Sequence, residues 1–238
     1  NCWMRLRTSP SNSTPGSKLA WRAWSGSTLA IGGRTRVFAI LGDPVAHSLS
    51  PAMQNAAFRA LGLDAVYVAL RANSTDVPDL IRSLARAGGG GNVTVPHKEI
   101  AARAVERPSG RVESLAACNT FWGEDGHSVG ENTDVDGVLD SLLRLEAPAT
   151  AWLLAGTGGG ARAVVAAAGV RGARVSVRSR DAERRRRFEE WVTSQGVGLA
   201  PAAECDVLIN TTPLGLNAGD HLPLALDEAP GARVAFDL

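Results

Sequence analysis

The chain has 238 residues, 45% of them hydrophobic and 21% charged, with a formal net charge of +1, enough apolar material for one or two domains with real cores. No apolar stretch approaches the roughly 20 residues that span a bilayer, and the three cysteines, Cys2, Cys118 and Cys205, are odd in number and lack metal-ligand spacing, which fits a reducing cytoplasm and argues for no metal and no membrane. Residues 1–36 carry six Lys or Arg and no acid, so the remainder stands at 19 minus 24, or −5, which speaks against nucleic acid as a partner of the folded part.

That basic first segment is rich in Ser, Gly and Arg and has neither helical nor strand periodicity. It is expected to be a disordered or non-native extension; a plastid or other organellar transit peptide, a tag, a linker and a mistranslated upstream stretch all fit it. From Val37 onward β-branched runs alternate with helical-period segments. Strands are predicted at 37–41, 65–70, 92–95 and 118–122. Helices are predicted at 51–61, with Pro51 opening it and Ser50 as N-cap, and at 76–87, ending in the glycines 88–91. This alternation predicts an α/β sheet over 37–146. A helix at 134–145 leads to the Ala-Pro-Ala-Thr boundary at 147–150.

A second unit, 147–238, opens with an apolar strand at 151–155, a glycine turn and a small-residue helix. In a dinucleotide fingerprint one glycine makes the tight turn, one lets the backbone approach a pyrophosphate, and a third small residue packs helix on strand; Gly156, Gly158 and Ala161 fill these places. The helix N-terminus would face the phosphates. At the end of the next strand, where NAD enzymes place an acid for the ribose, stand Arg178, Ser179 and Arg180, with Arg184 following. Cations and a hydroxyl favour NADP, whose 2′-phosphate suits a guanidinium fork, although Asp181 lies close by. The rest of the arginine run to Arg187 reads as a solvated helix face.

The stretches LGDPVAHSLSP (41–51), GNVTVPHK (91–98), ACNT (117–120), GENTDVDG (130–137), GTGGGAR (156–162), SRDAER (179–184) and INTTPLG (209–215) together resemble shikimate dehydrogenase, in order and with similar spacing. The resemblance runs from about Val37 to Leu238. It implies a substrate-binding catalytic domain followed by a Rossmann-like NADP-binding domain, and the reversible NADP-dependent reduction of 3-dehydroshikimate to shikimate. A quinate-preferring dehydrogenase and a binding-only homologue are the alternatives. The small-molecule substrate is the one partner implied, and the oligomeric state is left open.

Carried over residue by residue, the resemblance makes Lys98 and Asp134 the catalytic pair. Ser48 and Ser50 become the clamp on the substrate carboxylate, with Asn92, Thr94 and Asn119 meeting ring hydroxyls or bracing the site. It adds Thr157, Gly159, Gly160, Thr211 and the Leu238 backbone to the cofactor contacts. The chemistry fits. Reducing a ketone by hydride needs a proton for the emerging alkoxide, which Arg cannot give and Lys can; Lys98 and Lys18 are the only lysines. Two serines at i and i+2 of an extended segment point to one face. Blander roles compete. Asp134 and Ser50 would serve as helix caps, Asn119 as a turn residue, His47 and His97 as local hydrogen-bonding groups, and the glycines 88–91 merely as a helix stop.

Some positions depart from the family pattern: Glu131 replaces a common aromatic, Val135 a common glycine, and Ala116 and Cys118 modify the stretch before Asn119. The sequence also stops at VAFDL, where the family continues with a tyrosine and a helix bearing a substrate-contacting glutamine. The resemblance therefore reads as that of a C-terminally truncated enzyme.

Overall fold

The computed structural model describes residues 31–215 and 217–238, so all but the last residues of the basic extension lie outside the described region. The apolar run RVFAILG forms β1 (Arg36–Gly42), its last five residues buried. A loop leads to α1 (Ser50–Ala60), then β2 (Ala65–Arg71), α2 (Val77–Arg86) and β3 (Gly90–Val93). β1 pairs in parallel with β2 on one side and β3 on the other. The helix α2 buries Val77, Ile81 and Ala85 at i, i+4 and i+8, a stripe set against Ala39, Leu41, Val93 and Phe121 in one core. Burying the valine and isoleucine alone contributes about 1.5–3 kcal/mol each.

Two short helices follow, α3 (Lys98–Ala104) and α4 (Gly110–Leu115), separated by the two-residue β4 (Arg107–Pro108). Ser109 caps α4 by accepting from the Val112 N–H at 3.2 Å. A hairpin, β5 (Thr120–Glu124) and β6 (His127–Glu131), turns at Asp125 and Gly126, both at positive φ, the two-residue geometry that matches strand twist. β5 runs antiparallel to β3, completing a sheet of order β2-β1-β3-β5-β6-β4.

After α5 (Asp134–Arg144) comes β7 (Ala151–Ala155), every residue buried, then α6 (Gly159–Arg171), β8 (Arg174–Arg178), α7 (Ala182–Ser194), β9 (Val207–Asn210) and β10 (Val234–Asp237). These strands form an all-parallel sheet, order β10-β9-β7-β8. The α/β class is as expected. Val135, Val138 and Leu142 of α5 share one core with Ala161, Val164 and Ala168 of α6 and with Trp152 of β7. The small residues of α6 permit that approach. Val135, where the family pattern has glycine, is thus a core residue.

Four local expectations are corrected. The third strand runs from 90 to 93 rather than 92–95, and the fourth from 120 to 124 rather than 118–122. The glycines after α2 do more than stop it. Gly88, at φ +74, ends the helix, but a Cβ on Gly89 or Gly91 would fall inside the carbonyl oxygens of Val37 and Ala39, and one on Gly90 would strike the Phe121 carbonyl. Absent side chains let three strands close up here. Ser50 is the first residue of α1 and not its N-cap; Leu49 holds that place, with no side-chain cap bond.

Candidate active site

Lys98 opens α3 and Asp134 opens α5, and the two side chains meet. Lys98 Nζ donates to Asp134 Oδ2 at 2.6 Å, with only 15% and 18% of the side chains exposed. Asn119 Nδ2 donates to the other carboxylate oxygen at 2.7 Å. Asn119 is itself fixed, its Oδ1 accepting from the Thr133 N–H and the Thr120 hydroxyl, each at 2.9 Å. It is therefore a network residue and not a simple turn former. Thr133 is the N-cap position of α5 and no side chain caps that helix, so the helix-cap reading of Asp134 is overturned. The Asp134 N–H instead donates to Asn132 Oδ1 at 3.1 Å. A carboxylate engaged on both oxygens holds an ammonium in one place while that ammonium retains donors for a substrate oxygen.

The neighbouring polar residues are organised by the first sheet. Asn92 on β3 donates to Thr120 Oγ1 at 3.0 Å and accepts from the Tyr67 hydroxyl at 2.7 Å. Tyr67, the single tyrosine of the chain, is almost fully buried. Because β1 and β3 are adjacent and parallel, the loop bearing Ser48, which enters α1 at Ser50 through a helical and not an extended Leu49, and the turn bearing Thr94 leave the same C-terminal end of the sheet as Lys98. The Asp43 N–H donates to the Val95 carbonyl at 3.1 Å, joining the two loops. Thr94 lies over Gly42, where a Cβ would stand 2.5 Å from its methyl. Ser48 Oγ accepts from the Ser50 N–H at 3.2 Å. His97 Nε2 lies 2.7 Å from the Ala72 carbonyl, the local role expected of it.

The second sheet supplies a cleft of about 760 Å³, lined by Lys98 and Glu99 on one side and by the turn Gly156–Gly160 on the other. Gly156 has φ +110, and the Thr211 hydroxyl, which donates to the Ala155 carbonyl at 2.7 Å, fills the space where a side chain would go. Gly158 is the N-cap position of the 13-residue α6; no side chain caps it, and nothing lies within 4 Å of where its Cβ would stand. The first N–H groups of α6 thus face the cleft beside Thr157, a setting that suits a pyrophosphate. Ala161 is fully buried behind them. Leu238, whose N–H donates to the Asn210 carbonyl at 3.0 Å, brings its side chain against Gly160.

Ser179, Arg180, Asp181 and Arg184 line the far end of the same cleft. Arg178 lines the cleft with them, its charge met by Glu228. Asp181 caps α7, accepting from the Glu183 and Arg184 N–H groups at 3.0 Å each. Arg186 and Arg187 pair with Glu183, and Arg185 lies 3.7 Å from Glu189, so these arginines form a salt-bridged outer face. Hydrogen bonds from Arg186 and Arg187 hold the Glu183 carboxyl at about 2, well below its usual value.

Sequence reasoning missed several members. Tyr67, Thr120, Thr133 and Asn132 build the polar frame, and a lone tyrosine inside a strand was the available signal, since a buried phenol needs a partner. Arg162 of GTGGGAR was also passed over. It donates to the Leu115 carbonyl at 3.0 Å, and its guanidinium lies 4.9 Å from the Trp191 ring centre. The unusual residues are absorbed locally: Glu131 accepts from Ser109 and from the Asn132 N–H, and burial pushes the Cys118 thiol up to about 12.

Residues 40–121 match the family described as shikimate dehydrogenase substrate binding domain. The shikimate dehydrogenase (NADP(+)) of Shouchella clausii is 36% identical over 217 residues, 86% of this chain and 79% of that protein. Among solved structures, shikimate 5-dehydrogenase of Thermus thermophilus in complex with NADP(H) and shikimate is similar at a TM-score of 0.75 and 35% identity, over 84% of this chain and 77% of that one. The Aquifex aeolicus shikimate dehydrogenase gives 0.76 and 28%, over 87% and 88%. With a relative this similar covered over more than two thirds of its length, the chain belongs to the shikimate dehydrogenase family.

Proposed function

We propose that this chain catalyses the reversible, NADP-dependent reduction of 3-dehydroshikimate to shikimate, a step of aromatic amino acid biosynthesis. The observation that carries the reading is the Lys98–Asp134 pair, whose lysine lines the wall of the dinucleotide cleft. NADPH supplies the hydride when bound. Lys98 Nζ gives a proton to the ketone oxygen in reduction and takes it back from the hydroxyl in oxidation. Asp134 holds the lysine for that exchange and shares its charge. Ser48 and Ser50 donate to the substrate carboxylate, while Asn92, Thr94 and Asn119 set the ring hydroxyls.

The cofactor is held by the backbone N–H groups of the turn Gly156, Thr157, Gly158, Gly159 and Gly160, by Ala161 behind it, and by Thr211 and the Leu238 backbone beside it, with close approach given by Gly158. Ser179, Arg180 and Arg184 take the 2′-phosphate, while the charge of Arg178 is met by Glu228. A cytoplasmic location fits the buried free thiols of Cys118 and Cys205, and no helix among the described residues is long and apolar enough to cross a membrane. The unit boundary at 147–150 belongs to the same proposal.

The test is turnover. NADPH absorbance is followed with 3-dehydroshikimate, and NADP reduction with shikimate and with quinate. Faster turnover of shikimate than of quinate supports the assignment. Tight binding of both ligands without hydride exchange would establish a binding protein instead.

A further inference from the structure

Gly159 and Gly158 are neighbours in the same turn, yet their missing side chains leave different spaces. At Gly158 the Cβ position opens on nothing within 4 Å, the room a phosphate needs. At Gly159 it points the other way: a Cβ would stand 3.0 Å from Lys98 Cβ, 3.1 Å from Lys98 Cδ and 3.5 Å from Ala117 Cβ. That is tighter than ordinary van der Waals contact. The lysine stem cannot easily yield, because its Cα belongs to α3 and its Nζ is held by Asp134 at 2.6 Å.

We propose that Gly159 is a positioning residue for Lys98: its bare backbone is the floor on which the lysine stem lies. The loop that receives the cofactor thereby also fixes where the proton donor sits. The usual reason for a glycine in this turn, close approach of a pyrophosphate, is met by Gly158. Close packing of Gly159 on the stem sets the source of the proton against the loop that receives the source of the hydride. The catalytic part of this inference rests on the role assigned to Lys98 above, whereas the packing part does not.

The test is a double-mutant cycle with two readouts. Gly159 begins a helix and has no positive φ, so alanine there ordinarily raises stability. Here Gly159→Ala is expected to lower the Tm by about 2 °C or more. In a Lys98→Gly background, where both clashing carbons are gone, the same substitution is expected to leave the Tm unchanged or raise it. Should Gly159→Ala alone fail to fold, recovery of folding in the double variant gives the same answer.

In turnover, Gly159→Ala is expected to lower kcat at least tenfold, as small displacements of reacting groups do, with the shikimate KM and NADPH Kd within about threefold of the parent. Equal Tm effects in both backgrounds would overturn the proposal. So would a kcat loss matched by an equal loss of NADPH affinity, which would return Gly159 to a phosphate-approach role. A parent chain without turnover would sink the functional reading, while the Tm cycle would still decide the contact.

Discussion

Replacing Lys98 by arginine separates charge from proton transfer. The pair with Asp134 is mostly buried, 15% and 18% exposed at 2.6 Å. Removing the cation outright, as in Lys98→Ala, leaves a carboxylate whose remaining side-chain partner is Asn119 at 2.7 Å. Loss of one partner from a fully buried pair costs about 3–5 kcal/mol; the residual exposure and the Asn119 bond bring the expectation here to about 2–3 kcal/mol of stability. A guanidinium keeps the charge and the hydrogen bond, so Lys98→Arg should stay within about 1 kcal/mol of the parent in urea unfolding. The rate tells a different story. Arginine does not release a proton at neutral pH, and general acid–base catalysis is worth roughly 10²- to 10⁴-fold, or about 3–5 kcal/mol of barrier. Single-turnover oxidation of bound NADPH by 3-dehydroshikimate reads that step, and calorimetric titration of shikimate reads binding. The expected pattern is a rate lower by at least a hundredfold with a shikimate Kd within a few-fold. An arginine variant that turns over within a few-fold of the parent would refute a proton-donating lysine and leave only a charge.

Four other substitutions test neighbouring parts. Ser50→Ala should weaken shikimate binding by about 1–2 kcal/mol, the worth of one donor to a carboxylate, with no loss of Tm, because Ser50 makes no cap bond; a fall in Tm with unchanged affinity would restore the helix-cap role. Arg180→Ala should reduce the preference for NADPH over NADH by about 1–3 kcal/mol in fluorescence titrations, and equal losses for both cofactors would place the 2′-phosphate elsewhere. Gly91→Ala should destabilise the protein by about 3 kcal/mol or more, since its Cβ has no space against the Ala39 carbonyl, whereas Gly110→Ala, at the open start of α4, should be neutral or stabilising by about 0.5–1 kcal/mol. Denaturant midpoints compare the two.

What the sequence disclosed follows from where burial is one-sided or complete. β1, β2 and β7 are short apolar runs between turn residues, and the periodic apolar stripe of α2 is unmistakable. β6 was hidden because HSVGE carries more polar than apolar groups, although Asp125-Gly126 between the two strands was a legible hairpin signal. The early start of β3 at Gly90 was obscured by residues that ordinarily interrupt strands. They are tolerated here because neighbouring backbones press on both faces. α3 and α4, 7 and 6 residues long, are too short for a period to show. At the site, the glycine turn could be read from local order alone, but Lys98 and Asp134 lie 36 positions apart. Only the joint pattern of motifs linked them. The frame of Tyr67, Asn92, Asn119, Thr120 and Thr133 consists of ordinary residue types whose meaning lies in contacts across three strands and a helix start.

The two members of the Lys98–Asp134 pair stand on different foundations. α3 is seated by Ala101 in the core beneath the first sheet, whereas α5 is seated by Val135, Val138 and Leu142 in the core shared with α6 and the second sheet. The pair thus joins a helix of the first core to one whose length lies in the second, and the start of α5 is moored to the first sheet as well, by Asn119 on Asp134 and by Asn132 on the Ala117 carbonyl. A hydrogen bond tolerates only a few tenths of an ångström before it weakens, so these moorings, together with the second core, keep the carboxylate on its ammonium. A substitution that loosens one of them outside the cleft acts on chemistry without touching a ligand.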